Sequence, residues 1–135
     1  NTKAQNWDEW TKAMSIGGIG ATNFIYADKT GKIAYIYNAL FPDRKAGYDY
    51  TKELPGDIRA ALWQGSVSFA DMPKLVDPAS GFLQNANNTP FLAAGAGSEM
   101  KPGDWSPLLG IEQHMTNRGL RAQELFGKDI IAALG

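Results

Sequence analysis

The chain has 135 residues, 44% hydrophobic and 20% charged, which is enough for one core and sets it apart from disordered and fibrous sequences. With 13 Lys+Arg against 14 Asp+Glu the net charge is -1, so no electrostatic footprint for nucleic acid or anionic lipid is present. The absence of cysteine excludes disulfides, thiol nucleophiles and iron–sulfur clusters, and a single histidine excludes a site built on several imidazoles. No apolar run approaches the roughly 20 residues of a membrane-spanning helix. The stretch from Asn1 lacks the basic and apolar regions of a signal peptide, so any targeting segment is expected outside these residues.

In chain order, Thr2 or Asn1 is expected to cap a helix with apolar positions Ala4, Trp7, Trp10, Ala13 and Met14 at three- and four-residue steps, ended by Ser15-Ile16-Gly17-Gly18. Asn23 to Asp28 and Lys32 to Asn38 are aromatic and β-branched sequence around Lys29-Thr30-Gly31, which predicts a β-hairpin. Phe24 and Tyr26 share one face, and Ile33, Tyr35 and Tyr37 share one on the partner strand; two apolar faces call for cover on both. From Phe41 to Ser80, Pro42, Pro55, Pro73 and Pro78 with three glycines break every period, so the stretch reads as a long ordered loop pinned to a core by Trp63 and Phe69. Phe82 to Asn87 is expected as a strand of the same sheet system, ending in an amide cluster before Thr89-Pro90. Ala93 to Pro107 is again loop. Ile111 to Leu134 carries a helical stripe, Met115, Leu120, Leu125 and Ile130, interrupted at Gly119 and near Gly127. There is no internal repeat, and residues 1–135 read as a single α+β segment with no internal domain boundary.

Few residues offer chemistry. His114 is expected on the last helix as a structural or surface imidazole, because no partner for it can be identified. The carboxylates Asp8, Glu9, Asp28, Asp43, Asp49, Glu53, Asp57, Asp71, Asp77, Glu99 and Asp104 are scattered in no metal-loop or catalytic-pair spacing. Gly17-Gly18-Ile19-Gly20 precedes a strand and not a helix N-terminus, which argues against a phosphate loop. The informative cluster is Asn85-Ala86-Asn87-Asn88. Strand alternation would point Asn85 and Asn87 to one face and leave Asn88 to the turn. A rigidly held carboxamide NH2 can stabilise the oxyanion of acyl transfer. On the residues alone, that role and a plain turn ahead of Pro90 both remain open.

At this cluster the chain resembles the β-subunit of the penicillin acylase family, which includes acyl-homoserine-lactone and cephalosporin acylases. The resemblance runs in register along nearly the whole length: Ala4 to Trp10, Asn23 to Asp28 with Gly31-Lys32-Ile33, Phe41-Pro42-Asp43-Arg44, Asp77 to Pro90, and Asn117-Arg118-Gly119-Leu120-Arg121. It implies part of an αββα N-terminal-nucleophile hydrolase, an autoprocessing precursor cut into an α-chain and a β-chain. The terminal serine of that β-chain is the nucleophile, and its own α-amine is the base. It further implies Asn87 as the oxyanion-hole asparagine and Arg118 as an active-site positioning residue.

Because the chain begins with Asn1, the serine, the rest of the oxyanion hole and most of the acyl pocket are expected upstream, and these residues by themselves are expected to be inactive. The resemblance implies no cofactor. Structural calcium occurs in the family, and the nearest matching places are the loops at Tyr50 and at Ser98-Glu99, where the matching carboxylate position holds Ser98. The implied partners are the remainder of the β-chain, the α-chain and a small acyl-amide substrate of acyl-homoserine-lactone or β-lactam type. The implied location is periplasmic or secreted. The rival expectation is a non-catalytic binding module whose surface is the hairpin and the tryptophan-bearing loop.

Overall fold

A computed structural model describes residues 3–134, with the side chains of residues 3–128. Asn1 and Thr2, expected as caps, and the side chain of Ile130 lie outside what is described. Helix α1 is Trp7–Met14, and its cap is Asn6. Asn6 Oδ1 accepts from Glu9 N at 2.9 Å, and Glu9 Oε2 reaches back to accept from Gln5 N at 2.9 Å. This reciprocal arrangement satisfies donors that the first helical turn leaves without partners. Ala4 is therefore outside the helix, which starts about one turn later than the apolar spacing predicts.

The hairpin forms as expected from β1 (Phe24–Ala27) and β2 (Ile33–Ile36), antiparallel with Phe24 opposite Ile36 and Ala27 opposite Ile33. Asp28 closes its turn: Oδ1 accepts from Thr30 N at 2.8 Å and Thr30 Oγ1 at 2.6 Å, while Oδ2 accepts from Tyr26 OH at 2.8 Å. The Thr30 hydroxyl, then the Tyr26 hydroxyl, hold the Asp28 carboxyl down at about 2, and desolvation followed by the Asp28 bond pushes Tyr26 up to about 12.

α1 covers one face of this sheet through Trp7, Trp10, Phe24 and Tyr26, with Trp10 5.2 Å from the Tyr26 ring and 6.0 Å from that of Phe24. On the other face Tyr35 is fully buried with Phe91, Ala93 and Met100, and Leu75, Leu83, Trp105 and Ile111 pack around them. The cover is incomplete at the edge strand, where Ile25 stays half-exposed.

The proline-broken stretch conceals a third strand, β3 (Lys74–Val76), paired antiparallel to β2 with Tyr35 opposite Leu75. It has only three residues and follows Pro73, whose carbonyl accepts from Tyr37 N at 3.0 Å. A proline is tolerated there because the position supplies an acceptor and no donor. Phe69 packs against a second cluster of Phe41, Met72 and Leu109 as expected, but Trp63 is 57% exposed and pins nothing.

The strand expected over Phe82 to Asn87 does not form. Leu83 makes a single bridge with Ala94, and Gln84 N donates to Ala93 O at 2.8 Å before the chain leaves extended geometry. The asparagines are the cause, because a carboxamide offers the backbone a partner that competes with a ladder: Ala86 N donates to Asn88 Oδ1 at 2.9 Å, and Asn87 turns to φ 55°.

The last helix also differs from expectation. α2 is Asn117–Leu134 and passes through Gly119 and Gly127 unbroken. It starts at Thr116, whose Oγ1 accepts from Gly119 N at 3.1 Å. Residues 111–116 are non-helical, so His114 is outside the helix. Met115, Leu120 and Leu125 of the anticipated stripe are 43–49% exposed. α2 is tied to the Pro90–Leu92 turn, where Gln123 Nε2 donates to Leu92 O at 2.8 Å and to Ala94 O. No helix is long and apolar enough to cross a membrane among the described residues.

Candidate functional site

The amide cluster lies where the tight turn after Gln84 meets the first turn of α2. Asn88 is buried, and its carboxamide spans the turn, accepting from Ala86 N and donating through Nδ2 to Thr89 O at 2.7 Å. Asn87 is exposed between these anchors, in the left-handed conformation that asparagine tolerates better than other residues with a side chain beyond Cβ. From the second position of α2, Arg118 donates to Ala86 O at 3.0 Å and to Asn87 Oδ1 at 3.2 Å.

That contact decides which way the Asn87 amide points. A guanidinium has donors only, so the atom facing it is the carbonyl oxygen and the NH2 points away. Asn87 Nδ2 has no hydrogen-bond partner among the described residues. Arg118 also stands against the electrostatic preference of a helix N-terminus for anions. Its place is therefore not explained by helix stability, and its charge adds to the partial positive charge of the helix end beside Asn87.

Asn87 and Asn88 border an open cleft of about 340 Å³ whose far wall comes from the hairpin and the strand-like segment after it: Asn23, Tyr37, Asn38 and Phe41, with Glu112 closing one side. Asn38 Nδ2 donates to Ile19 O at 2.9 Å, and Tyr37 OH accepts from Glu112 N at 3.4 Å, so these polar walls are held by the fold. Asn85, expected on the same face as Asn87, instead accepts from Asn23 Nδ2 at 3.4 Å. Sequence reasoning passed over Asn23, Tyr37, Asn38 and Glu112 as site residues. Their shared location is a product of tertiary packing, and no spacing marks it.

The remaining candidates stay apart. His114 is exposed, and only its backbone is engaged, with Thr89 N donating to its carbonyl at 3.2 Å. Gly17 to Gly20 leads into the Ala21–Ala39 bridge and not into a helix. Among the described residues no three His, Asp or Glu side chains gather to hold a metal ion. The residues at the calcium-matching places do not fit that cation. Ser98 Oγ accepts from Ser80 N, Glu99 Oε2 from Gly97 N and Tyr50 OH from Lys45 N, which leaves one carboxylate where a hard cation collects six to eight oxygens.

Comparison with known proteins gives two findings. The sequence profile of the family described as penicillin amidase matches residues 1–131. Penicillin G acylase from Escherichia coli is 38% identical over 88 residues, which cover 65% of this chain and 10% of that relative. The chain thus matches about a tenth of the length of this curated relative.

Proposed function

The chain belongs to the penicillin amidase family, and from that premise we propose that it is one undivided segment of the β-chain of an acylase. This enzyme cleaves the amide between an acyl chain and a small amine of acyl-homoserine-lactone or β-lactam type. Asn87 supplies a side-chain donor of the oxyanion hole and Arg118 positions it. The observation that carries this reading is the contact of Arg118 with Asn87 Oδ1, because it directs the carboxamide NH2 away from the guanidinium and leaves it without a partner among the described residues.

In the proposed reaction, the hydroxyl of an N-terminal serine outside these residues attacks the scissile carbonyl carbon and passes its proton to its own α-amine. The carbonyl oxygen becomes negative and accepts from Asn87 Nδ2. The intermediate collapses to an acyl-enzyme with departure of the amine, which takes up the proton, and water then releases the acid. The family relationship supports an αββα setting, with this three-stranded sheet as part of one layer. It also supports the remaining β-chain and the α-chain as partners and a periplasmic or secreted location. Exposed Ile25, Leu120 and Leu125 are consistent with packing against those other parts.

The test is Asn87→Ala in the complete enzyme with a penicillin and an acyl-homoserine lactone as substrates. The expected result is a fall in kcat of about 10²–10³ with folding intact, and a larger fall for Asn87→Asp, whose carboxylate repels the developing oxyanion. Normal kcat in Asn87→Ala overturns the role. A second reading, a non-catalytic binding module, draws on the exposed Ile58, Leu62 and Trp63 of the long loop. It requires that the complete protein hydrolyse neither amide.

A further inference from the structure

Position 119 is where α2 comes nearest the asparagine turn. A Cβ built there would lie 3.1 Å from both Cγ and Oδ1 of Asn88 and 3.3 Å from its Cβ, closer than such contacts normally run. Asn88 cannot yield freely. It is 4% exposed, and both ends of its carboxamide are committed to the backbone on either side of Asn87, at Ala86 N and Thr89 O. The neighbouring residue of the helix, Arg118, donates to Ala86 O and to Asn87 Oδ1, and the second bond orients the Asn87 carboxamide. Thr116 fixes the helix start through Gly119 N. The bare Cα of Gly119 against the Asn88 side chain therefore sets how close the helix sits, and that closeness sets whether Arg118 reaches.

We propose that Gly119 and Asn88 are positioning residues of the site: their contact fixes the separation between α2 and the asparagine turn at which Arg118 holds the Asn87 carboxamide in its donating orientation. The inference rests on the oxyanion reading of Asn87 and adds two residues that touch no reacting atom. Glycine is a poor helix residue, and alanine is normally the better one. An activity loss in Gly119→Ala would consequently run against the helix-propensity effect and report the close approach. In a rigid core the added methyl displaces its neighbours by some tenths of an ångström, and misplacement of about 1 Å at a catalytic group costs roughly 10²-fold.

The experiment compares kcat, KM and thermal midpoint for Gly119→Ala, Asn88→Ser, Asn87→Ala and the double variant Gly119→Ala/Asn87→Ala in the complete enzyme, with a chromogenic acyl p-nitroanilide. Gly119→Ala is expected to lower kcat about ten- to a hundredfold with KM changed less than about threefold. In the Asn87→Ala background the same methyl should lower kcat no further, because the group it misplaces is gone. Unchanged kcat in Gly119→Ala, or an undiminished loss in the double variant, overturns the proposal. Where Gly119→Ala fails to fold, folded Asn88→Ser decides: it removes the carboxamide without adding volume, and normal kcat there also overturns it. Should Asn87→Ala itself retain full kcat, the oxyanion reading is what has failed, which the single variant shows independently of Gly119.

Discussion

At Asp77 and at Asn87 the backbone turns through positive φ, 47° and 55°, and among the described residues no other non-glycine position does so. Both ends of the Asp77 carboxylate are used inside the fold: Oδ1 accepts from Ile33 N at 2.9 Å and Oδ2 from Lys32 Nζ at 2.7 Å, which fastens the end of β3 to the start of β2. Asn87 is held at one end only. Its oxygen accepts from Arg118, and its NH2 has no partner among the described residues. Each left-handed residue costs about 1 kcal/mol or more, so each needs compensation. At Asp77 the compensation is visible in the sheet. At Asn87 the same strain holds a donor with no partner among the described residues, the distribution that the proposed oxyanion role calls for.

The largest effect expected from this contrast is at Asn87→Gly. Glycine accepts φ 55° without penalty, so the turn should persist, with stability within about 1 kcal/mol of the parent by denaturant titration. The donor is lost, and kcat should fall about 10²–10³. A stable variant with full turnover would place Asn87 with Asp77, as a residue there only to turn the chain. Arg118→Lys comes next. One Arg118 nitrogen serves both Ala86 O and Asn87 Oδ1, and the ammonium of a shorter side chain does not reach that position from the same Cα. A kcat loss of about tenfold is expected with KM nearly unchanged, read from steady-state kinetics.

Asp77→Gly is the counterpart on the sheet side. It relieves φ and deletes the ties to Lys32 and Ile33, so the thermal midpoint should drop by roughly a few degrees. The kcat per folded molecule should stay within about twofold of the parent, as expected for a change with no bond to the reacting groups. A kcat loss as large as that of Arg118→Lys would mean that the two positive-φ residues are not separable, and that the segment between them moves as one piece.

The sequence made one half of this comparison readable and hid the other. The hairpin was legible because its information is local: Asp28, Thr30 and Gly31 close the turn, and aromatic and β-branched residues flank it. β3 was not legible, since three residues between Pro73 and Pro78 carry no period and take their register from β2. Phe82 to Asn87 was misread because alternation assumes extended backbone at every step, and Asn87 and Asn88 break that assumption with their own side chains. The apolar stripe places the start of α2 too early, because Thr116 sets the boundary, and Met115, Leu120 and Leu125 are exposed. Arg118 is marked by the family pattern alone, and Asn87 by the amide cluster together with that pattern. Their meeting spans 31 residues and has no local signature.

The smallest effect is the response to acid, and it separates the two regions by charge type. In the folded chain the Asp28 carboxyl is held at about 2, first by Thr30 Oγ1 and then by Tyr26 OH; Asp77 is held below the usual carboxylate range, first by Lys32 Nζ and then by Ile33 N. A carboxyl whose folded pKa is depressed contributes stability that is complete above its unfolded value, about 4, and is lost as the pH falls through the folded value. The sheet end should thus loosen between about pH 4 and pH 2 as both carboxylates take up protons. The contact of Arg118 with Asn87 and Ala86 contains no carboxylate and has nothing to protonate in that window. Thermal midpoints measured across it should fall, and the fall should be shallower in Asp28→Asn, whose amide keeps an acceptor for Thr30 but does not titrate. Asp77 is exposed and Asp28 partly so, so salt weakens the effect and the difference is best read at low ionic strength. An acid limb of the same slope in Asp28→Asn and the parent would mean that the Asp28 turn adds nothing to acid stability, and that the acid response of the sheet end comes from Asp77 and its ties to Lys32 and Ile33.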